Sequence, residues 1–257
     1  GYTDFHYLRD IWKRTTEKDA LIGVGMTGIG SGVVLGYDMK RAAKMVKEEN
    51  ERVATLIGIN KSARTTTVKP SGTSSLVLGT SSGIHAWHNP YYLRTVRFNK
   101  NEDLAQYLMI NHPELCEDDV LRPTDTLCVR IPVKAPEDSI LRTETAIDTL
   151  ERVKRFSTEW VKSGHINGAN THNVSATISV KEGEWETVGD WMWTEQKHYN
   201  GLSVLPAFDH TYKQAPFEDI TEEQYNARIN TLKAIDLNKV MEIDDNVEFS
   251  QVSACSG

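Results

Sequence analysis

The sequence predicts an α/β fold. Two stretches alternate apolar and polar residues with a period of two: Thr126–Lys134 through Leu127, Val129, Ile131 and Val133, and Asn173–Val180 through Val174, Ala176, Ile178 and Val180. Long apolar stripes at helical spacing run through residues 38–57 and 144–163. Strands separated by helices imply a sheet covered by helices rather than a bundle or a sandwich.

In chain order, residues 3–16 form a helical fragment with Phe5, Leu8 and Ile11 or Trp12 on one stripe. The chain has no initiating Met and starts inside this helical pattern, which reads as a piece of something longer. Leu21–Met26 is expected as a short buried strand at the head of the glycine-rich run ALIGVGMTGIGSGVVLG, residues 20–36. Residues 38–57 predict a helix with Asp38 as N-cap and Gly58 as C-cap; Ala42, Met45, Val46, Val53 and Leu56 should face inward. Val68–Leu78 should hold a short strand and a tight polar loop, and Tyr91–Phe98 a strand.

The helix at 144–163 carries Ala146, Ile147, Leu150, Val153, Ser157, Trp160 and Val161 on one face and ends at Gly164. Residues 184–200 form an amphipathic helix with Trp185, Val188, Trp191, Met192 and Tyr199 inward, closed by Gly201. Leu202–Pro206 is expected as a short buried strand and 221–234 as a helix. With no linker in sight, residues 1–237 are taken as one unit. The acidic residues 238–257 are expected as a flexible tail.

A chain of 257 residues, 39% hydrophobic, is long enough for a sizeable core. Its formal net charge of -7 argues against a general nucleic-acid binder, which needs an excess of Lys and Arg. No apolar run is long enough for a membrane span, and the N-terminus lacks the apolar segment of a signal peptide. Three cysteines, Cys116, Cys128 and Cys255, cannot all pair within the chain, so a reducing cytoplasm is the simplest setting. Cys116 and Cys128 read as structural; neither has a CxxC partner, so zinc is not expected.

Gly23-Val-Gly25-Met-Thr-Gly28 is a literal GxGxxG, which raises a nicotinamide dinucleotide, NAD(P), as an alternative. The glycines continue through Gly30, Gly32 and Gly36, so no helix opens where the pyrophosphate would need one. Close backbone packing accounts better for the run. Lys69-Pro70-Ser71-Gly72-Thr73-Ser74-Ser75 suits an anion: Gly72 permits unusual backbone angles, the hydroxyls add donors and Lys69 adds charge. A plain Ser/Thr turn is the competing reading.

The wider sequence adds to this. TTTVKPSGTSSLVLGTSSGIHAWHNPYYLRTVRF, residues 65–98, resembles class II (adenosylcobalamin-dependent) ribonucleotide reductases over its whole length, most closely the form acting on ribonucleoside triphosphates. IGVGMTGI at 22–29, TLCVRIPVK at 126–134, NVSATISV at 173–180, GLSVLP at 201–206, YKQAP at 212–216 and ACSG at 254–257 extend the likeness in order. The resemblance implies the later part of a ten-stranded α/β barrel, with Ser71, Gly72, Thr73 and Ser74 gripping the phosphates of a ribonucleoside di- or triphosphate. Ile84 and His85 would lie on a neighbouring active-site loop, with His85 and His88 near substrate or corrin. Cys255 would begin a tail cysteine pair that exchanges with a thioredoxin-like reductant, although no second cysteine follows.

The same resemblance implies adenosylcobalamin as cofactor and a thiyl radical on a cysteine in an N-x-C-x-E arrangement. That arrangement is absent from this sequence, so an upstream N-terminal fragment or chain is expected to supply it. A non-catalytic nucleotide-binding module is a further alternative.

Overall fold

The computed structural model describes residues 5–6, 8–207 and 212–240. The helices are α1 (Asp10–Asp19), α2 (Met39–Ile57), α3 (Thr73–Val77), α4 (Asp103–Asn111), α5 (Ala146–Phe156), α6 (Trp185–Thr194) and α7 (Glu222–Thr231). The strands are β1 (Tyr91–Asn99), β2 (Cys116–Asp118), β3 (Thr126–Lys134), β4 (Thr177–Val180), β5 (Ser203–Pro206) and β6 (Phe217–Asp219). The α/β class is therefore as the sequence implies. The strands described form one sheet of four and one of two, with isolated bridges beside them, and do not make up a ten-stranded barrel.

The chain divides into two compact units, one up to Pro90 and again from Ala135, the other over Tyr91–Lys134 and again from the chain beyond 209. The expectation of one unit over 1–237 misses this division because each unit has its own apolar cluster.

In the first unit four extended segments pair in parallel, beside one antiparallel bridge between Arg64 and His165. Val24 bridges Thr66, Val68 bridges Val174, and β4 pairs with β5, Thr177 opposite Ser203. Four segments thus neighbour one another in sequence order, and α2, α5 and α6 cross between successive ones, as parallel pairing requires. Val68, Val174, Ile178 and Val180 bury their side chains under Leu150, Val153 and Phe156 of α5, with Val188 and Trp191 of α6 and Met39 and Ala43 of α2 in the same cluster. Full burial of each such Leu, Val or Phe contributes about 1.5–3 kcal/mol.

Helix α2 has the expected caps. Asp38 accepts from the Arg41 amide, and Gly58 takes a left-handed φ of 73°. Of the expected stripe Ala42 and Val46 pack against the core and Val53 is half-buried, but Met45 and Leu56 face solvent, and the fully buried positions are Met39, Ala43 and Ala54. Leu21, Ile22 and Val24 are also exposed, and the Val24 bridge is their one ladder contact among the described residues, so Leu21–Met26 is not a buried strand. Their outer side has no strand beside it among the described residues. The same holds for β5, a strand as expected but largely exposed.

α5 opens with a capping box: Thr145 Oγ1 accepts from the Asp148 amide, and the Asp148 carboxylate accepts from the Thr145 amide. Beyond Phe156 the helix widens into a π turn, Ser157–Val161. Thr66 Oγ1 donates to the Trp160 carbonyl at 2.7 Å, and Trp160 Nε1 donates to Thr67 O at 3.0 Å. Gly164 comes next; a Cβ there would collide with the Thr66 side chain.

The second unit is an antiparallel sheet in the order β2-β3-β1-β6, with Tyr91 opposite Lys134 and Asn99 opposite Thr126. Leu127 and Val129 pack with Ala105, Tyr107 and Leu108 of α4. Cys128 is buried, its thiol pushed up to about 11 by burial and by its contact with the Asp119 carboxylate. Asp119 is held well below the usual carboxylate range by the Arg97 guanidinium. At the start of the expected tail, Leu237–Lys239 forms a 3-10 turn. Residues 241–257, Cys255 among them, lie outside the described residues.

Candidate functional site

Three stretches distant in sequence meet in the first unit, just past the carboxyl ends of the parallel segments: Thr27–Ser31, Pro70–Ser75 and Thr80–His85. Ligands of α/β sheets bind at this end of the strands.

Val68 pairs as an extended residue and Pro70–Gly72 makes the expected tight turn, but the chain then enters α3 at Thr73 instead of staying a loop to Leu78. Gly72 has φ +52°, a left-handed backbone that L side chains rarely adopt. The Ser74 amide donates back to Ser71 O at 3.0 Å, and Ser75 Oγ to Gly72 O at 2.8 Å. Lys69, Pro70, Gly72 and Ser74 are exposed, so the outer edge of the turn is open to a ligand.

The inner edge is tied down. The Ser71 amide donates to Ser82 Oγ at 3.1 Å. Ser71 Oγ lies 2.7 Å from Thr27 Oγ1. Thr27 Oγ1 also donates to Ser81 O at 3.1 Å and accepts from the Gly83 amide at 3.0 Å. The Gly28 and Ile29 amides donate to Ser81 O and Gly83 O. Two glycines allow this approach: a Cβ on Gly30 would strike the His85 carbonyl, and one on Gly83 would sit 2.7 Å from Lys69 O.

The GxGxxG run is thus committed to packing. Gly28 and Ile29, whose amides a pyrophosphate would need, donate inside the protein. The run leads into a three-residue 3-10 turn, Ile29–Ser31, rather than an α-helix. A dinucleotide reading finds no support in this geometry.

Ile84 is fully buried in the core cluster. The His85 ring is engaged at both nitrogens: Nε2 accepts from the Thr177 amide at 2.9 Å, so Nδ1 carries the proton and donates to Ser82 O at 3.1 Å. Burial lowers its pKa below the ordinary histidine value. Behind the loop, Arg152 donates to Ile84 O and makes a two-pronged, buried ion pair with Glu144 at 2.7 and 2.8 Å.

Ser71, Gly72, Thr73, Ser74, Ile84 and His85 are therefore brought into one neighbourhood. Thr27, Ser81, Ser82 and Arg152 join them without having been expected from the sequence. The hydroxyl-rich run Thr80-Ser81-Ser82 and the Thr inside GVGMTG are the signals that could have pointed to three of these four. Among the described residues no cluster of three or more His, Cys, Asp or Glu side chains is arranged to hold a metal ion, and no helix is long and apolar enough to cross a membrane.

The fold is shared with a crystal structure of a B12-dependent (class II) ribonucleotide reductase: the TM-score is 0.68 over 85% of this chain and 34% of that one, at 24% identity. In sequence, the chain is similar over most of its length to adenosylcobalamin-dependent ribonucleoside-triphosphate reductases. The enzyme of Lactobacillus leichmannii is 28% identical over 96% of this chain and 36% of its own length. That of Euglena gracilis is 27% identical over 95% of this chain and 34% of its own length. A probable one from Dictyostelium discoideum is 28% identical over 89% and 31%. The chain spans about a third of the length of these relatives. No protein-family model matches it.

Proposed function

We propose that this chain is one part of an adenosylcobalamin-dependent ribonucleotide reductase, in which the turn of Ser71, Gly72, Thr73 and Ser74 receives the phosphates of a ribonucleoside di- or triphosphate, Ser71 as its anchor and the other three as its donors. The observation that carries the reading is the exposed turn at Gly72, fixed from behind by Thr27 and Ser82 at the carboxyl end of the parallel segments. Amides at a helix start have no acceptor within the helix, so those at Gly72 and Thr73 can bond to phosphate oxygens, with Lys69 adding charge. Ile84 and His85 hold the neighbouring loop in place.

In the complete enzyme this chain would contribute part of a ten-stranded barrel wall. A segment or partner chain carrying N-x-C-x-E would contribute the cysteine that becomes a thiyl radical. The reaction removes the 2′ hydroxyl as water, and a cysteine pair provides two electrons. Cys255 is proposed to belong to the tail that passes electrons on from a thioredoxin-like reductant. Adenosylcobalamin, when bound, supplies the radical. His85 is not suited to ligate its cobalt, because both ring nitrogens are engaged, and no residue of this chain is assigned to hold the cofactor.

The test is reconstitution. With adenosylcobalamin, CTP and a dithiol, the chain alone should form no deoxycytidine nucleotide; addition of an N-x-C-x-E fragment from a relative should restore turnover. Gly72→Val in the mixture should raise KM for CTP by roughly ten- to hundredfold, corresponding to about 1–3 kcal/mol for a lost charged hydrogen bond. Turnover by the chain alone would refute the division of labour, and an unchanged KM would refute the phosphate turn.

A further inference from the structure

We infer that Thr27 is a positioning residue for the phosphate turn, acting through the direction of its single hydroxyl proton. The inference rests on the proposed reading of Ser71–Ser74 and deepens it.

A threonine hydroxyl has one proton to donate and two lone pairs to accept with. Thr27 Oγ1 has three partners in the two other arms of the site: Ser81 O at 3.1 Å and the Gly83 amide at 3.0 Å in one, and Ser71 Oγ at 2.7 Å in the other. The Ser81 carbonyl can only accept, so the Thr27 proton goes there. The Gly83 amide can only donate, so it fills one lone pair. The second lone pair remains for Ser71, which must donate its own proton to Thr27. All three capacities of the hydroxyl are used, and a directed chain runs from Ser71 Oγ–H to Thr27 Oγ1–H to Ser81 O.

For the turn this has two effects. Ser71 presents only lone pairs outward, and an anion repels these; phosphate must therefore be gripped by the amides and hydroxyls beyond Ser71. At the same time Ser71 is pinned by side chain and amide, to Thr27 and to Ser82, so the start of the turn cannot swing away when charge arrives. Thr27 also fixes the Gly83 amide, and with it the stretch leading to His85, whose ring accepts from Thr177 at 2.9 Å. Removing one oxygen atom should loosen all three arms together while leaving the apolar core untouched. This gives the threonine of the GVGMTG run a role that a dinucleotide motif would not.

The experiment titrates the chain with CTP, tripolyphosphate and cytidine by calorimetry, using wild type, Thr27→Val, Thr27→Ser, Ser71→Ala and the Thr27→Val/Ser71→Ala double variant. Thr27→Val is nearly isosteric and removes only the relay. It should weaken CTP and tripolyphosphate at least tenfold and leave cytidine within twofold. Thr27→Ser should stay within threefold of wild type for all three. Because Thr27 acts through Ser71, the double variant should be no weaker than the weaker single variant. If Thr27→Val does not fold, Ser71→Ala and Thr27→Ser still decide: the first should lose CTP affinity and the second keep it. An unchanged CTP-to-cytidine ratio in the variants, or a Thr27→Ser protein as weak as Thr27→Val, overturns the inference alone. A wild-type chain that binds CTP no better than cytidine overturns the phosphate-turn reading itself, and the inference with it.

Discussion

His85 illustrates how a single side chain is committed by its surroundings. With Nε2 accepting from Thr177 and Nδ1 donating to Ser82, a second proton has no place on the ring, and burial lowers its pKa. The unfolded chain takes up a proton near the ordinary value of about 6.5, and the folded chain does so only at lower pH. His85 therefore favours the folded state above that value, and the advantage is lost as pH falls below it. Urea midpoints of wild type should drop between pH 7 and the lower folded pKa, and His85→Gln should drop less over the same range. Parallel curves would show that other groups carry the acid dependence. The family resemblance singles out His85, but the sequence does not reveal its Thr177 partner, because a contact across 92 residues leaves no local pattern.

At the scale of elements, α5 shows where local chemistry is legible. T-x-x-D at Thr145–Asp148 is a capping box, and the apolar stripe behind it points into the core. Thr145→Ala should cost about 1 kcal/mol, read as a shift in urea midpoint without a change in slope, and Thr145→Ser should recover most of it. A Thr145→Ala midpoint equal to wild type would mean that packing alone fixes this end. The π turn after Phe156 is not legible, since its cause lies in Thr66, which captures the Trp160 carbonyl from 94 residues away. The caps of α2 are equally plain at Asp38 and Gly58, and its buried stripe is legible in part, at Ala42 and Val46. Met45 and Leu56 look like core residues by hydropathy, and only the packing of Met39 and Ala43 reveals which face turns inward. Strands buried on both faces and strands at an edge likewise look alike when short, so hydropathy alone makes Leu21–Met26 look interior.

For the molecule, the parallel segments of the first unit end in two open edges among the described residues, at Leu21–Val24 and at β5. Exposed backbone flanked by Leu21, Ile22, Val24 and Leu205 is a template for pairing with another chain. The chain alone should therefore self-associate with rising concentration, followed by light scattering, and Val24→Lys/Leu205→Lys should suppress this with little change in the far-ultraviolet dichroism. Wild type that stays monomeric throughout would remove the argument. The division into two units escapes a reading of the sequence because residues 91–134 return to the first unit without a Gly/Pro-rich linker. Their separate cluster of Leu127, Val129 and Leu108 becomes evident only in three dimensions.

The hydroxyl relay also has a consequence in time. Its first contact, Thr27 to Ser71, closes a loop of 44 residues, and His85 waits for a partner 92 residues further on. Contacts of such separation form late, because the entropy of closing the loop must be met before any bond forms. On a ribosome, a nascent chain that has emerged only as far as His85 already contains every residue of the turn, yet it lacks Thr177, which holds the histidine beside it. Phosphate affinity should thus be among the last properties this chain acquires as it folds, and its appearance would report that the long-range pairing is finished.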